Sequence, residues 1–342
     1  MNKTIFTVIV AILASVCLLG CNLAASSSSA DTKSDDKLQI VTTIFPEYDW
    51  VMNILGDNPA NAEVTMLLDN GVDLHSYQPT ADDILKISTC DMFIYVGGES
   101  DEWVEDALKE AVNKDMAVID LLDVLGDSVK EEEVVEGMQE EEEHEHEHED
   151  GDEGEEHEHE EEGPEYDEHV WLSLRNTAAL VNAISDELAR IDAKNADSYK
   201  KNADDYVAKL GELDKKYSDV VAGSSIKTLL FGDRFPFRYL TDDYGLSYFA
   251  AFVGCSAETE ASFETIKFLA EKVDELALPA VMTIEGADHR IAETIVANTK
   301  NKDAKILTMD SMQSTTSEDV KSGTTYLSVM EKNLEVLGEA LK

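Results

Sequence analysis

Basic side chains are scarce in this chain. Against 73 aspartates and glutamates stand 27 lysines and arginines, for a formal charge of −46 over 342 residues. Between Glu131 and Glu168 there is no lysine or arginine, and that stretch alone carries 23 carboxylates, so the rest still holds about −23. Such a surface repels phosphate backbones, which argues against nucleic acid as a partner. It draws cations toward the protein and says nothing about the fold. Cysteine is also sparse, with Cys17, Cys21, Cys90 and Cys255. The first two belong to an N-terminal segment described next. Cys90 and Cys255 are then left either as one disulfide of an oxidising compartment or as two buried thiols in apolar, strand-like surroundings.

The N-terminal segment has its own logic. "MNK" supplies a positive start and "TIFTVIVAILASVCLLG" an apolar stretch of about 17 residues, the pattern of a secretory signal and short for a spanning helix. It ends in "LLGC", Leu18 to Cys21, which looks like a bacterial lipoprotein processing site. Residues 1–21 are therefore expected to be a signal, with lipid on Cys21 holding the protein to the outer face of the cytoplasmic membrane. The alternative is a plain secreted protein with a chance cysteine. Residues 22–37, rich in serine and charge, form a flexible tether reaching roughly 20–25 Å.

From Leu38 apolar runs alternate with helical stretches. "LQIVTTIF", "AEVTMLL", "DMFIYVGG" and "AVIDLL" read as strands, and "TADDILKIS" as a short helix opened by a capping Thr80. Strand and helix in alternation predict a mainly parallel sheet, giving an N-terminal α/β lobe over 38–173. The acidic stretch 131–168 interrupts it. That stretch has almost no apolar residues, cannot offset its ordering entropy, and is expected to be disordered. Residues 174–222 turn helical, with "TAALVNAISDELARI" followed by about seven turns through "ADSYKKNADDYVAKLGELDKKYSDVV". A second α/β lobe over 223–342 repeats the theme with "IKTLLFGD", "LSYFAAFVG", "AVMTIEG" and "AKILTMDS". The fold class expected is thus α/β: two lobes, each with a mainly parallel sheet flanked by helices, joined by one long helix, with a cleft where both sets of strand carboxyl ends can collect a ligand.

Metal-ligand side chains follow several of these strands. His75 lies in "DNGVDLHSYQPTADDI", in the loop before the helix capped by Thr80. His169 emerges from the acidic stretch into the apolar "VWLSL". Asp310 and Asp233 end strands of the second lobe. Taken singly, His289 in "GADHRIAE" reads as an ordinary surface residue. Within the acidic stretch His144, His146, His148, His157 and His159 alternate with carboxylates. They make either an accessory set of weak metal ligands or part of a solvated spacer. Flexible ligands must order backbone at roughly 1–2 kcal/mol per residue fixed, so their affinity falls below that of a preformed cleft.

Together these motifs resemble the metal-specific class of ABC-transporter solute-binding proteins, most closely the zinc-uptake branch. "IVTTIFPEYDWVMNI" is similar to the family's first strand and helix. "DLHSYQPTADDI" carries over the first ligand to His75, and "DEHVWLSL" the second to His169. "LTMDS" followed by "GTTYLSVMEKNLEVL" carries an aspartate ligand onto Asp310. The acidic histidine stretch falls where zinc-type members place a His-rich loop. The family's third ligand, a histidine or glutamate, falls on Arg234 when counted back from Tyr244, and a guanidinium does not ligate metal. Asp233 is taken as its replacement, with Glu258, Glu260 and Cys255 as further candidates, or water completing a three-ligand site. The resemblance implies a zinc receptor without catalytic activity, working with a membrane permease and its cytoplasmic ATPase, and a monomer is expected. A manganese receptor and a metal-buffering adhesin are the alternatives. A secreted metallohydrolase would need a general base such as Glu168, and no HExxH motif is present.

Overall fold

The structure is a computed structural model that describes residues 37–58, 60–139, 165–256, 260–286 and 288–342. The signal segment, Cys21, the five alternating histidines and Glu258 lie outside the described residues. Eight strands form two four-stranded sheets. The first contains β1 (Gln39–Thr42), β2 (Glu63–Met66), β3 (Met92–Tyr95) and β4 (Ala117–Asp120), in the order β2-β1-β3-β4. The second contains β5 (Thr228–Phe235), β6 (Ser247–Val253), β7 (Ala280–Thr283) and β8 (Lys305–Thr308), in the same permuted order β6-β5-β7-β8. Every pairing is parallel. In each sheet the chain leaves its first strand to one side and returns on the other, which opens a crevice at the carboxyl ends between them.

The strands form where apolar side chains run continuously, because helices cover both faces of a parallel sheet. Met92, Phe93 and Ile94 of β3 and Leu229, Leu230 and Phe231 of β5 are buried accordingly. The helices of the first lobe are α1 (Phe45–Leu55), α2 (Ala81–Thr89), α3 (Trp103–Lys109) and α4 (Leu121–Leu125). The Thr80 hydroxyl caps α2 by accepting the Asp83 N–H at 3.2 Å, and the Asp83 carboxylate accepts the Thr80 N–H in return at 3.0 Å.

Two helices follow, α5 (Leu174–Ile191) and α6 (Ala196–Gly223). Along α6 the buried residues Tyr199, Ala203, Tyr206, Leu210, Leu213, Tyr217 and Val221 recur every three or four positions, one apolar stripe over 28 residues. That stripe meets α1 of the first lobe and, in the second lobe, α7 (Arg238–Tyr244) and α11 (Tyr326–Ala340). Between those two run α8 (Phe263–Leu276), α9 (Arg290–Asn298) and α10 (Ser317–Lys321). One continuous apolar core therefore passes from Ile40 and Phe93 through Leu210 to Phe231 and Met330. Polar ties reinforce it. Trp171 Nε1 donates to the Ser311 carbonyl at 2.8 Å, Tyr326 Oη to the Trp171 carbonyl at 2.7 Å, and Tyr239 Oη to the Asp167 carbonyl at 2.7 Å.

The ends of the acidic stretch depart from the expectation of disorder. Glu132 N–H bonds to the Glu165 carbonyl at 2.9 Å, Gln139 N–H to the Ala251 carbonyl of β6 at 2.9 Å, and Met138 is buried. The apolar residues Val134, Val135 and Met138 sit near the beginning of the stretch, and the bonds of Gln139 to Ala251 and of Glu132 to the Cys255 N–H tie residues 131–139 to the second lobe. Cys90 and Cys255 are both free thiols, which removes the disulfide alternative. Cys90 is buried with its Sγ donating to the Ile87 carbonyl at 3.2 Å.

Candidate metal centre

His75 rides on a single 3-10 turn, Leu74–Ser76, beyond β2. The Asp73 carboxylate accepts the His75 N–H at 3.1 Å, and buried Leu74 pins the turn to the core. His169 is fully buried and precedes a second 3-10 turn, Val170–Leu172, whose three side chains are all buried. Asp167 accepts the His169 backbone N–H at 2.9 Å and faces its Nδ1 at 3.0 Å through the same oxygen. His75 Nδ1 is likewise engaged, 2.8 Å from Ser100 Oγ and 3.4 Å from Glu168 Oε2.

In the tautomer with both Nδ1 atoms donating to oxygen, each Nε2 carries a lone pair, and these two atoms face each other 3.2 Å apart. Carboxylate-buttressed imidazoles turned toward one point form a cation site: the outer oxygens fix tautomer and orientation and raise the basicity of the ligating nitrogens. Burial first, then the adjoining His169 ring and the Arg234 charge, pull the His75 pKa down to about 3 against the opposing charge of Asp73, so its ring is neutral at physiological pH. Burial pushes the Glu168 carboxyl up, opposed by hydrogen bonds from Ser100, whose N–H donates at 2.8 Å.

A third donor comes from the second lobe. Cys255, just past β6, places its Sγ so that it and one ring nitrogen from each histidine all lie within 4.8 Å of one another. Its backbone N–H donates to Glu132 Oε1 at 3.0 Å, so the ordered start of the acidic stretch positions it. His75, Glu132, Glu168 and Cys255 line a pocket of about 260 Å³. Burial foremost, then the carboxylates Glu132, Glu168 and Asp167, hold the thiol well above its usual range. Gly254 permits the approach: a Cβ there would stand 2.9 Å from the Phe235 carbonyl oxygen and 3.0 Å from His169 Cε1. Gly98, at φ +81°, would drive a Cβ into the Glu168 side chain.

The sequence-derived carboxylates of the second lobe are engaged elsewhere. Asp233 accepts the Arg234 N–H at 2.9 Å and the Ile284 N–H at 3.2 Å. Asp310 accepts the Met312 N–H at 2.8 Å, and its own N–H donates to Asn333 Oδ1 at 2.8 Å. Burial and then the charge of Glu285 push Asp310 up to about 6. Neither belongs to the cluster of three that the structure brings together, nor do His289 and Glu260. Arg234 extends across to Asp73 in an ion pair. Burial alone would raise the Asp73 pKa, but the Arg234 charge outweighs it and holds the carboxyl low.

Gln313, which sequence reasoning passed over, is buried against this pair. With its amide nitrogen donating to both Asp73 carboxylate oxygens at 3.0 and 2.8 Å, its oxygen accepts from His169 Nε2 at 2.8 Å, a bond of the Nε2-protonated ring that gives way when this nitrogen turns its lone pair on a cation. Asp167 could have been found from its place two residues before His169. Ser100 and Glu132 lie 25 and 123 residues from their partners and leave no local signal.

Two parallel-sheet lobes sharing one core, with a buried and a partly buried imidazole brought face to face, define the class of two-lobed solute-binding proteins. Residues 40–340 match the model of "ZnuA: Zinc-uptake complex component A periplasmic", and the chain belongs to that family. It is 33% identical over 317 residues to the zinc-binding lipoprotein AdcA of Streptococcus pneumoniae, covering 93% of this chain and 58% of that protein. The chain thus spans little more than half the length of AdcA. It is also 30% identical over 321 residues to the high-affinity zinc uptake system protein ZnuA of Bacillus subtilis, covering 94% of this chain and 92% of the relative. Among solved structures, the Zn(II)-bound ZnuA-like domain of S. pneumoniae AdcA superposes with a TM-score of 0.67 at 29% identity, covering 90% of this chain and 99% of that one.

Proposed function

We propose that the protein is an extracytoplasmic receptor that captures zinc and delivers it to an ABC permease energised by a cytoplasmic ATPase. The observation that carries this reading is the pair of Nε2 atoms 3.2 Å apart, each on a ring whose Nδ1 is held by oxygen. Two zinc–nitrogen bonds of a tetrahedral ion place their nitrogens about 3.3 Å apart, so the pair is already spaced for zinc. Imidazole and thiol donors suit zinc better than manganese, which prefers carboxylate and water. The names of the relatives, a zinc-binding lipoprotein and a zinc uptake system protein, support the same cargo.

The receptor performs no turnover and is tethered through lipid on Cys21, which keeps it near its permease. The histidines His144, His146, His148, His157 and His159 gather zinc weakly and raise its concentration beside the tight site. Zinc and manganese titrations of the chain carrying Cys21→Ser are the test. One tight zinc site is expected, weakened at least a hundredfold by His75→Ala or His169→Ala. Tight zinc binding untouched by both substitutions overturns the assignment. A deletion strain should fail to grow under zinc starvation if the role is uptake; normal growth there would point to buffering or adhesion.

A further inference from the structure

We propose that Cys255 is the third ligand to the bound ion, and that its sulfur, rather than a carboxylate of the second lobe, sets the preference of the site for thiophilic cations. This rests on the zinc-receptor reading and names the donor that the second lobe contributes to it. The Cys255 Sγ is the only described donor of its kind that shares the 4.8 Å cluster with His75 and His169. Two features of the fold hold it there. The bare Cα of Gly254 lets the end of β6 come up against the His169 ring, and Glu132 fixes the Cys255 backbone N–H at 3.0 Å.

The carboxylates of the second lobe stand outside that cluster. Asp233, near the end of β5, accepts two backbone N–H groups, and Asp310 accepts the N–H of Met312. Arg234, which stands where a histidine or glutamate was expected from the sequence, is drawn onto Asp73, so its charge is neutralised beside the site. The exchange is coherent: an arginine at that position removes one ligand, and a thiol one strand further along supplies another. On binding, the S–H bond gives way to a sulfur–metal bond and the proton leaves to solvent, so charge and atoms balance. Two nitrogens and one sulfur form a set that zinc, cadmium and cobalt accept and manganese disfavours.

Cobalt(II) reports sulfur ligation directly, because thiolate-to-cobalt charge transfer absorbs in the near ultraviolet while imidazole and carboxylate ligation does not. The full chain carrying Cys21→Ser, loaded with one equivalent of cobalt(II), should show that band. Cys90→Ser should keep it, since Cys90 is buried apart from the cluster, and Cys255→Ser should lose it. Cys255→Ser should also weaken zinc at least tenfold and narrow the zinc-over-manganese ratio by a similar factor. Cobalt bound stoichiometrically without the band overturns the sulfur ligand and leaves the receptor reading standing. Failure of the chain to bind zinc or cobalt tightly overturns both. The spectrum of the parent protein decides the matter even if Cys255→Ser does not fold.

Discussion

At Gly254 a missing side chain decides how closely the donors of the two lobes meet. A methyl group there has two rigid neighbours, the Phe235 carbonyl at 2.9 Å and the His169 ring at 3.0 Å, and neither yields without moving β5 or tilting the imidazole. Gly254→Ala is therefore expected to weaken zinc at least tenfold while the protein stays folded. Competition with a chelating dye measures the affinity, and unchanged binding would mean the ring tolerates the displacement. At this scale the structure brings the two histidines singled out in the sequence together and leaves the carboxylates Asp310 and Asp233 outside their cluster. His75 and His169 are followed by a capped helix and an apolar turn, local features that point a ring inward. Asp310 and Asp233 also stand at strand ends, yet whether such a residue ligates depends on which N–H groups lie nearby. Those come from Met312, Arg234 and Ile284, set by backbone geometry that residue type does not encode. Gln313 carries no charge, and it takes its meaning only from Asp73, on the other lobe.

Among the elements, strands and caps were the most legible. Each of the eight described strands falls on a run marked out in the sequence, β5 extending two residues past its run, and Thr80 opens α2 as its hydroxyl requires. The α1–α6 contact was not legible, because Asp49 looks like a solvent-facing residue of an amphipathic helix. It is instead buried against α6, accepting from Tyr206 Oη at 3.1 Å and Asn53 Nδ2 at 3.0 Å. Burial pushes its pKa up to about 6, despite the Tyr206 hydrogen bond that opposes the shift. The folded chain thus holds this proton more tightly than the unfolded chain. The resulting stability is fully present below about pH 4 and is lost as pH rises through 6, a difference on the order of 3 kcal/mol. Asp49→Asn should flatten that decline, because its oxygen still accepts from Tyr206 and never ionises. Denaturant midpoints at pH 4, 6 and 8 measure it, and parallel curves for parent and variant would count against the burial argument.

For the whole molecule, composition set residues 131–168 apart as an acidic insertion, and the described ends of that stretch are packed into the folded body. Residues 131–139 and 165–168 belong to the body: Gln139 bonds to β6, Glu132 holds Cys255, and Asp167 and Glu168 brace the two histidines. The two ways of shortening the insertion should therefore differ. Removing residues 140–164 should abolish weak zinc sites and leave the tight one. Removing 131–168 should damage the tight site as well. Calorimetric titration of both deletions against the parent distinguishes them, and equal retention of tight binding would deny the bracing role.

The stripe of α6 that joins both sheets into one core bears on how the ion departs. Hinged receptors shed cargo by swinging apart, but here such a swing would have to tear Trp171 from Ser311 and Tyr239 from Asp167. Under the proposed receptor role, zinc should therefore leave slowly from the isolated protein and quickly once the permease docks, so that unloading would be driven from outside the protein.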